Sequence, residues 1–197
     1  MLGSHNTFSY LPAKSFLKSL LKKWWRCQDK DIATQYKSGL RYFDLRVNFD
    51  KKGRLQIVHN DVVFKIDKKG FLNEMTRLIE AMYNNDDKVY FRIVLDERKM
   101  PKKIKEANQK VAYFLNFINM FSATYPKITV DDIRIFWNWK NPVKRSSFNN
   151  IYENHVSVRG TKAEYLLGTK AYADKVRNDD KEIIASEKDV ILKDYVC

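Results

Sequence analysis

Leu40-Arg41-Tyr42-Phe43-Asp44-Leu45-Arg46-Val47-Asn48-Phe49, the stretch LRYFDLRVNF, is the segment on which the fold turns. Leu40 and Tyr42 alternate only loosely with Arg41 and Phe43, but the density of aromatic and β-branched residues suits a strand. The run Asp50-Lys51-Lys52-Gly53 has the composition of a turn and returns the chain into RLQIVHN. The pair therefore reads as a hairpin. Asp44, Arg46 and His59 then fall at or near the ends of neighbouring strands, where a sheet can gather them into one site.

Outward from that hairpin, the pattern changes period repeatedly. A very short start, LGSH, precedes SFLKSLLKKWWRC, whose apolar positions 16, 17, 20, 21, 24 and 25 have helical spacing. DKDIATQYKSG reads as a second short helix, opened by Asp29 or Asp31 and stopped by Gly39. After the hairpin come a long amphipathic helix, KKGFLNEMTRLIEAMYNN, and a buried strand, KVYFRIVLDE. PKKIKEANQKVAYFLNFINMFSATY follows as a helix with Pro101 near its first turn. DIRIFWNW is another strand, helical stretches surround Gly168, and DVILKDYV is the last strand. His155, in YENHVSVRG, sits in a polar stretch without periodicity and is read as a surface residue.

Strands alternating with helices predict an α/β protein with a largely parallel sheet. Polar or ionisable residues recur at the carboxyl ends of the predicted strands: His5, Asp44 with Arg46, His59, Asp96, Asn138 and Asp194. That recurrence favours a closed barrel with its site on one rim. The chain has 197 residues, short for a fold that typically takes about 250. The expectation is therefore a compact, distorted or incomplete (β/α)8 TIM-like barrel, in a single domain spanning 1–197.

Lysine and arginine number 37 against 24 acidic residues, a net charge of +13 that attracts polyanions of any kind. Nucleic acid is not expected as a partner. Its aromatic-basic clusters, Lys22-Lys23-Trp24-Trp25 and Trp137-Asn138-Trp139-Lys140, belong to no recognised binding motif. A basic helix with paired tryptophans, as in KSLLKKWW, suits the headgroup layer of an anionic membrane. Cys27 and Cys197 are too far apart for a metal or redox pair spacing and read as free thiols. The sequence shows neither a secretory leader nor an apolar run of membrane-spanning length, which points to the cytoplasm or to a leader already removed.

The histidines are three: His5, His59 and His155. Cleavage of a phosphodiester by an internal hydroxyl requires a base, a cation for the phosphate oxygens and an acid for the leaving oxygen. His5, Arg46 and His59 have the chemistry for those tasks, since imidazole titrates near 6.5 and guanidinium keeps both its charge and its planar fork. Each also has an ordinary reading. Gly3-Ser4-His5 is a pattern that tag remnants leave, Arg46 can serve a structural ion pair with Asp44 or Asp96, Asp44 can orient a loop, and His59 before Asn60-Asp61 can be a turn residue.

The order of SHNT, GLRYFDLR, a hairpin to VHN, a strand ending LDE and a terminal KDYV resembles the catalytic X-type domain of phosphatidylinositol-specific phospholipase C. His5, Asn6 and Thr7 match the form found in metal-dependent eukaryotic members. Gly39, Arg41, Phe43, Asp44, Leu45 and Arg46 match the bacterial second motif, and His59 matches the histidine that follows. The resemblance implies a distorted, incomplete barrel that cleaves a phosphoinositide-like diester by attack of the inositol 2-hydroxyl, releasing a cyclic phosphate. In it His5 is the base, His59 the acid and Arg46 the phosphate-stabilising cation, while Asp194 holds the tautomer of His5. Asn6, Asp44 and Asp96 are implied substrate contacts, with Asp44 also bracing Arg46.

Two departures make the implied site a hybrid. Asn6 stands where bacterial enzymes carry an aspartate, and Arg46 stands where eukaryotic enzymes carry a calcium-binding carboxylate. Asp96 falls near another such ligand. The implied enzyme uses no metal and no cofactor, acts on a phosphoinositide or glycerophosphodiester, and touches anionic membranes peripherally. A metal-dependent glycerophosphodiester-type enzyme would need an E-x-D motif that Asp44-Leu45-Arg46 does not supply. The alternative function is a catalytically weak or inactive barrel that binds anionic phospholipid or phosphate.

Overall fold

A strand with Phe43, Leu45 and Val47 on one side and Tyr42, Asp44 and Arg46 on the other can be buried on both faces only if its polar side meets matching groups. In the computed structural model the neighbouring strands supply them. The structure describes residues 1–97, 101–137, 154–157 and 189–193. In chain order the elements are β1 (Leu2–Ser4), α1 (Phe16–Leu20), a 3-10 turn (Lys22–Trp24), α2 (Ile32–Lys37), β2 (Tyr42–Phe49), β3 (Leu55–His59) and β4 (Val62–Val63). They continue with α3 (Lys68–Ala81), β5 (Val89–Asp96), α4 (Ile104–Thr124), β6 (Ile128–Phe136), β7 (Asn154–Ser157) and β8 (Asp189–Lys193).

The eight strands form one mixed sheet. Six of them run parallel in the order β7-β8-β1-β2-β5-β6. Strand β1 covers only the first residues of β2, Gly3 pairing with Tyr42 and Ser4 with Phe43. Past that point the same edge of β2 is open, and β3 takes it antiparallel, pairing Val47 with Ile57. This arrangement carries His59 back toward the ends of the parallel strands. The α/β class and the largely parallel sheet agree with the sequence pattern.

The apolar rows of the sheet, Phe43, Leu45 and Val47 on β2 with Phe91, Ile93 and Leu95 on β5, are buried together with Met75 and Leu78 of α3 and Phe114 and Phe121 of α4. Each such side chain contributes about 1.5–3 kcal/mol relative to exposure. The other face begins with Tyr42, Tyr90 and Leu192 packed together. Above them a polar row crosses three strands, since Asp44 pairs in register with Arg92 and Arg92 with Asp132. The register of β5 against β6 shifts between Phe91 and Arg92, leaving Asp131 as an extra residue. Such a bulge lets two consecutive side chains find partners on one face. Asp131 accepts from the Tyr42 hydroxyl at 2.9 Å, and Asp132 accepts from Arg134 Nε at 2.6 Å.

The Asp31 side chain caps α2 by accepting from the Thr34 N–H, and Gly39 beyond its end takes φ +95°, a conformation that favours glycine. Asp67 caps α3 through the Gly70 N–H at 2.7 Å. The expected helix across 16–25 is shorter than its periodicity suggests: α1 stops at Leu20 and a 3-10 turn follows. Trp25 is buried and its indole N–H donates to the Lys18 carbonyl at 2.7 Å, which draws the chain back on itself. Helix α4 starts at Ile104, with Pro101 just ahead of its first turn. The stretch around His155, which lacks side-chain periodicity, contains β7, defined by its backbone pairing with β8. Asn138, the segment around Gly168 and Asp194 lie outside the described residues.

Candidate active site

His5 leaves β1 at its carboxyl end, and the loop after it is fixed by buried polar side chains. The Ser4 hydroxyl donates to Gln35 Oε1 at 2.5 Å, and Gln35 Nε2 in turn donates to the carbonyls of Thr7 and Lys30. Gln28 Nε2 donates to the His5 carbonyl at 3.2 Å, while Ser9 Oγ accepts from the backbone N–H groups of Cys27 and Gln28. Asn6 adopts φ +49°, a left-handed conformation that asparagine tolerates better than most residues. Its backbone N–H is thereby aimed at Asp44 Oδ2, 3.2 Å away.

The second histidine is set in a matching way. His59 ends β3, is buried, and places Nδ1 2.7 Å from the Trp25 carbonyl. A carbonyl only accepts, so Nδ1 carries the proton and Nε2 is the unprotonated nitrogen of the neutral ring. Asn60 takes φ +55° and its N–H donates to Asp96 Oδ2 at 3.2 Å. Each histidine is thus followed by a left-handed asparagine whose backbone is tied to a buried aspartate.

Arg46 joins the two halves. Its Nε donates to Asp44 Oδ2 at 3.0 Å, its NH1 reaches Asp96 Oδ2 at 3.4 Å, and its NH2 lies 2.9 Å from His5 Nε2. Guanidinium never accepts, so His5 Nε2 is the acceptor in that contact. The two imidazoles stand nearly perpendicular with centroids 6.1 Å apart. Arg92, which the sequence reading missed, completes the cluster with its fork on Asp44, Nε to Oδ1 at 3.0 Å and NH2 to Oδ2 at 2.8 Å. The signal for it was present as Arg92 and Asp96 at even spacing on an otherwise apolar strand.

Burial would raise the Asp44 carboxyl, but the guanidiniums of Arg46 and Arg92 outweigh it and hold Asp44 well below the usual carboxylate range. Burial dominates at Asp96 and raises it against the pull of Arg46. Burial, followed by the charge of Arg46, pushes His59 from 6.5 down to about 3. The buried side-chain atoms without a partner among the described residues include Asn6 Nδ2, the neighbouring Thr7 Oγ1 and Asp96 Oδ1. Leaving such an atom unmatched costs about 1–3 kcal/mol, so the site favours a ligand that both accepts and donates.

His5, Asn6, Asp44, Arg46, His59 and Asp96 therefore come together, whereas Asp194 falls outside the described residues. Among the described residues no group of three or more histidine, cysteine, aspartate or glutamate side chains is placed to hold a metal ion. The donor set explains this, because Arg46 sits on both Asp44 and Asp96, the carboxylates a cation would need.

This fold is that of the bacterial phosphatidylinositol-specific phospholipases C. The chain superimposes on the enzyme from Listeria monocytogenes with a TM-score of 0.60 at 16% identity, covering 99% of this chain and 87% of that one. A Staphylococcus aureus phosphatidylinositol-specific phospholipase C, solved in connection with modulation of its membrane binding, gives 0.56 at 17% identity over 99% and 85%. In sequence, the 1-phosphatidylinositol phosphodiesterase of S. aureus strain Newman is 33% identical over 82 residues, 42% of this chain and 25% of that protein. The chain thus spans about a quarter of the length of the curated relatives it matches. No family model matches it. The sequence neighbours are named 1-phosphatidylinositol phosphodiesterase and the structural neighbours phosphatidylinositol-specific phospholipase C.

Proposed function

We propose that the chain is a phosphodiesterase of the phosphatidylinositol-specific phospholipase C type, acting by histidine acid/base catalysis through a cyclic inositol phosphate. The observation that carries this reading is Arg46 bridging Asp44, Asp96 and His5 beside the His59 ring. A phosphate diester entering here draws on the Arg46 guanidinium, releasing His5 Nε2 to take the proton of the inositol 2-hydroxyl. His59, protonated at Nε2 once the phosphate's negative charge raises its pKa, delivers that proton to the departing alkoxide. Asn6 Nδ2 donates to a phosphate oxygen and Asp96 Oδ1 accepts from a substrate hydroxyl, which satisfies these two of the unmatched atoms. In this reading Asp194 orients His5, and the sheet with its helices belongs to a distorted or incomplete (β/α)8 barrel in one domain.

Phosphorus NMR on phosphatidylinositol vesicles and on glycerophosphoinositol tests this. The expected first product is a five-membered cyclic phosphodiester, followed only later by a monoester. A monoester formed from the outset would refute internal attack. Binding to vesicles with an unchanged spectrum would leave the chain as a lipid-binding barrel.

Membrane contact belongs to the same reading, as membrane binding is named for the S. aureus relative. Of the paired tryptophans, which anchor the chain only where they are exposed, Trp25 is 7% exposed and packs in the core, while Trp24 is half-buried. Phe16, Leu17, Leu20 and Leu21 are instead 75%, 70%, 64% and 50% exposed. Lys14 and Lys22 are exposed beside them. Such a basic, apolar ridge suits the headgroup layer of anionic lipid. The double variant Phe16→Ser, Leu20→Ser should weaken sedimentation with anionic vesicles at least about tenfold, since each buried side chain is worth about 1.5–3 kcal/mol. Added salt should weaken parent binding as well. Unchanged vesicle binding by the double variant would remove α1 from the contact.

A further inference from the structure

We propose that Arg92 is a positioning residue for Arg46, acting through Asp44. This rests on reading Arg46 as the group that holds the substrate phosphate. Arg92 is 6% exposed and Asp44 fully buried, and the two occupy paired positions on adjacent strands of a packed sheet. Both nitrogens of the Arg92 fork meet the carboxylate, Nε at Oδ1 and NH2 at Oδ2. A two-point contact fixes the plane of a carboxylate as a single bond cannot.

That plane decides what Arg46 has left to offer. Oδ2 accepts from Arg92 NH2, Arg46 Nε and the Asn6 N–H, while Oδ1 is taken by Arg92. With Oδ1 occupied, Arg46 cannot form its own two-point contact with Asp44 and gives up Nε alone. Its NH1 and NH2 ends then project toward Asp96 and His5, where a phosphate can claim them. Were Arg92 absent, Asp44 would be free to turn and take the Arg46 fork, withdrawing the terminal nitrogens from His5. Arg92 also matters by its charge, because without it Arg46 alone would face the two carboxylates of Asp44 and Asp96, a deficit that disfavours an anion.

The test compares the parent with Arg92→Lys and Arg92→Gln by three readouts: the Arg46 Nε–H cross-peak, the dissociation constant for inorganic phosphate, and urea unfolding. The parent cross-peak should be resolved and slow to exchange with solvent. In Arg92→Lys, which keeps the charge without the fork, the cross-peak should shift or broaden and phosphate affinity should fall about threefold or more. Arg92→Gln should weaken phosphate binding further, about tenfold or more. If both variants only lower stability, keeping the parent cross-peak and phosphate affinity, Arg92 is a structural ion pair and the proposal falls. Should Arg92→Gln fail to fold, the cross-peak in Arg92→Lys still decides. None of these readouts needs turnover, so a protein that makes no cyclic product would overturn the proposed function without touching this test.

Discussion

Replacing either histidine, as His5→Ala or His59→Ala, is expected to lower turnover of phosphatidylinositol by about 10² to 10⁴ while leaving the chain folded. The double variant should be little worse than either single one, because base and acid serve one displacement. The depressed His59 pKa sharpens the expectation. In the empty site the ring is neutral at physiological pH, yet an acid must carry a proton when the leaving oxygen departs. A bound phosphate brings negative charge next to His59 and offsets the influence of Arg46, so its pKa rises in the complex. kcat should therefore hold to higher pH than kcat/KM, which reports the free enzyme. His59 also links to stability. Its folded pKa of about 3 lies below the ordinary 6.5, so the unfolded chain binds the proton first, and stability is lost as pH falls from about 6.5 toward 3. His59→Ala should flatten that part of the urea-unfolding profile. Activity within about tenfold of the parent in either single variant would take that histidine out of proton transfer.

How far the sequence reading reached follows from what local patterns can encode. Asp44 and Arg46 were legible because a strand projects every second residue to one face, and the hairpin signal at Asp50-Lys51-Lys52-Gly53 brought His59 beside them. Asp96 was legible as the polar end of an apolar strand. Arg92 was not, because an arginine within KVYFRIVLDE looks like an interruption until the register sets it opposite Asp44. The scaffold of Gln28, Gln35 and Ser9 was likewise invisible, since its bonds join residues far apart in the chain through backbone groups that carry no side-chain signature. Helix α1 misled for a related reason. Its apolar spacing promised a buried face, whereas Trp25 alone turned inward and Phe16, Leu17 and Leu20 stayed exposed. Periodicity reports that one face differs from the other and is silent on what covers it.

Hydrolysis by the parent protein is expected to survive chelation with little change, and Arg46→Lys to lose about 10²-fold or more. Both outcomes rest on the same geometry. Arg46 holds Asp44 Oδ2 at 3.0 Å and Asp96 Oδ2 at 3.4 Å, so its permanent charge stands where a cation would have to bridge those carboxylates. Two unit charges about 4 Å apart repel by about 4 kcal/mol at an effective dielectric near 20, and a divalent ion doubles that. Calcium also seeks six to eight oxygen ligands, while Arg92 already occupies both oxygens of Asp44. Lysine at position 46 keeps a charge but cannot contact Asp44, Asp96 and a phosphate at once, which is why the loss should appear in kcat rather than in folding. Arg46→Asp removes the cation and introduces a carboxylate beside Asp44 and Asp96. It should be inactive in chelator and regain part of its activity in millimolar calcium, with calcium binding measurable by calorimetry in the variant and not in the parent. If the parent instead loses activity in chelator and recovers it with calcium, Arg46 is not the group that neutralises the phosphate, and Asn6 belongs to a metal shell as in the metal-dependent form.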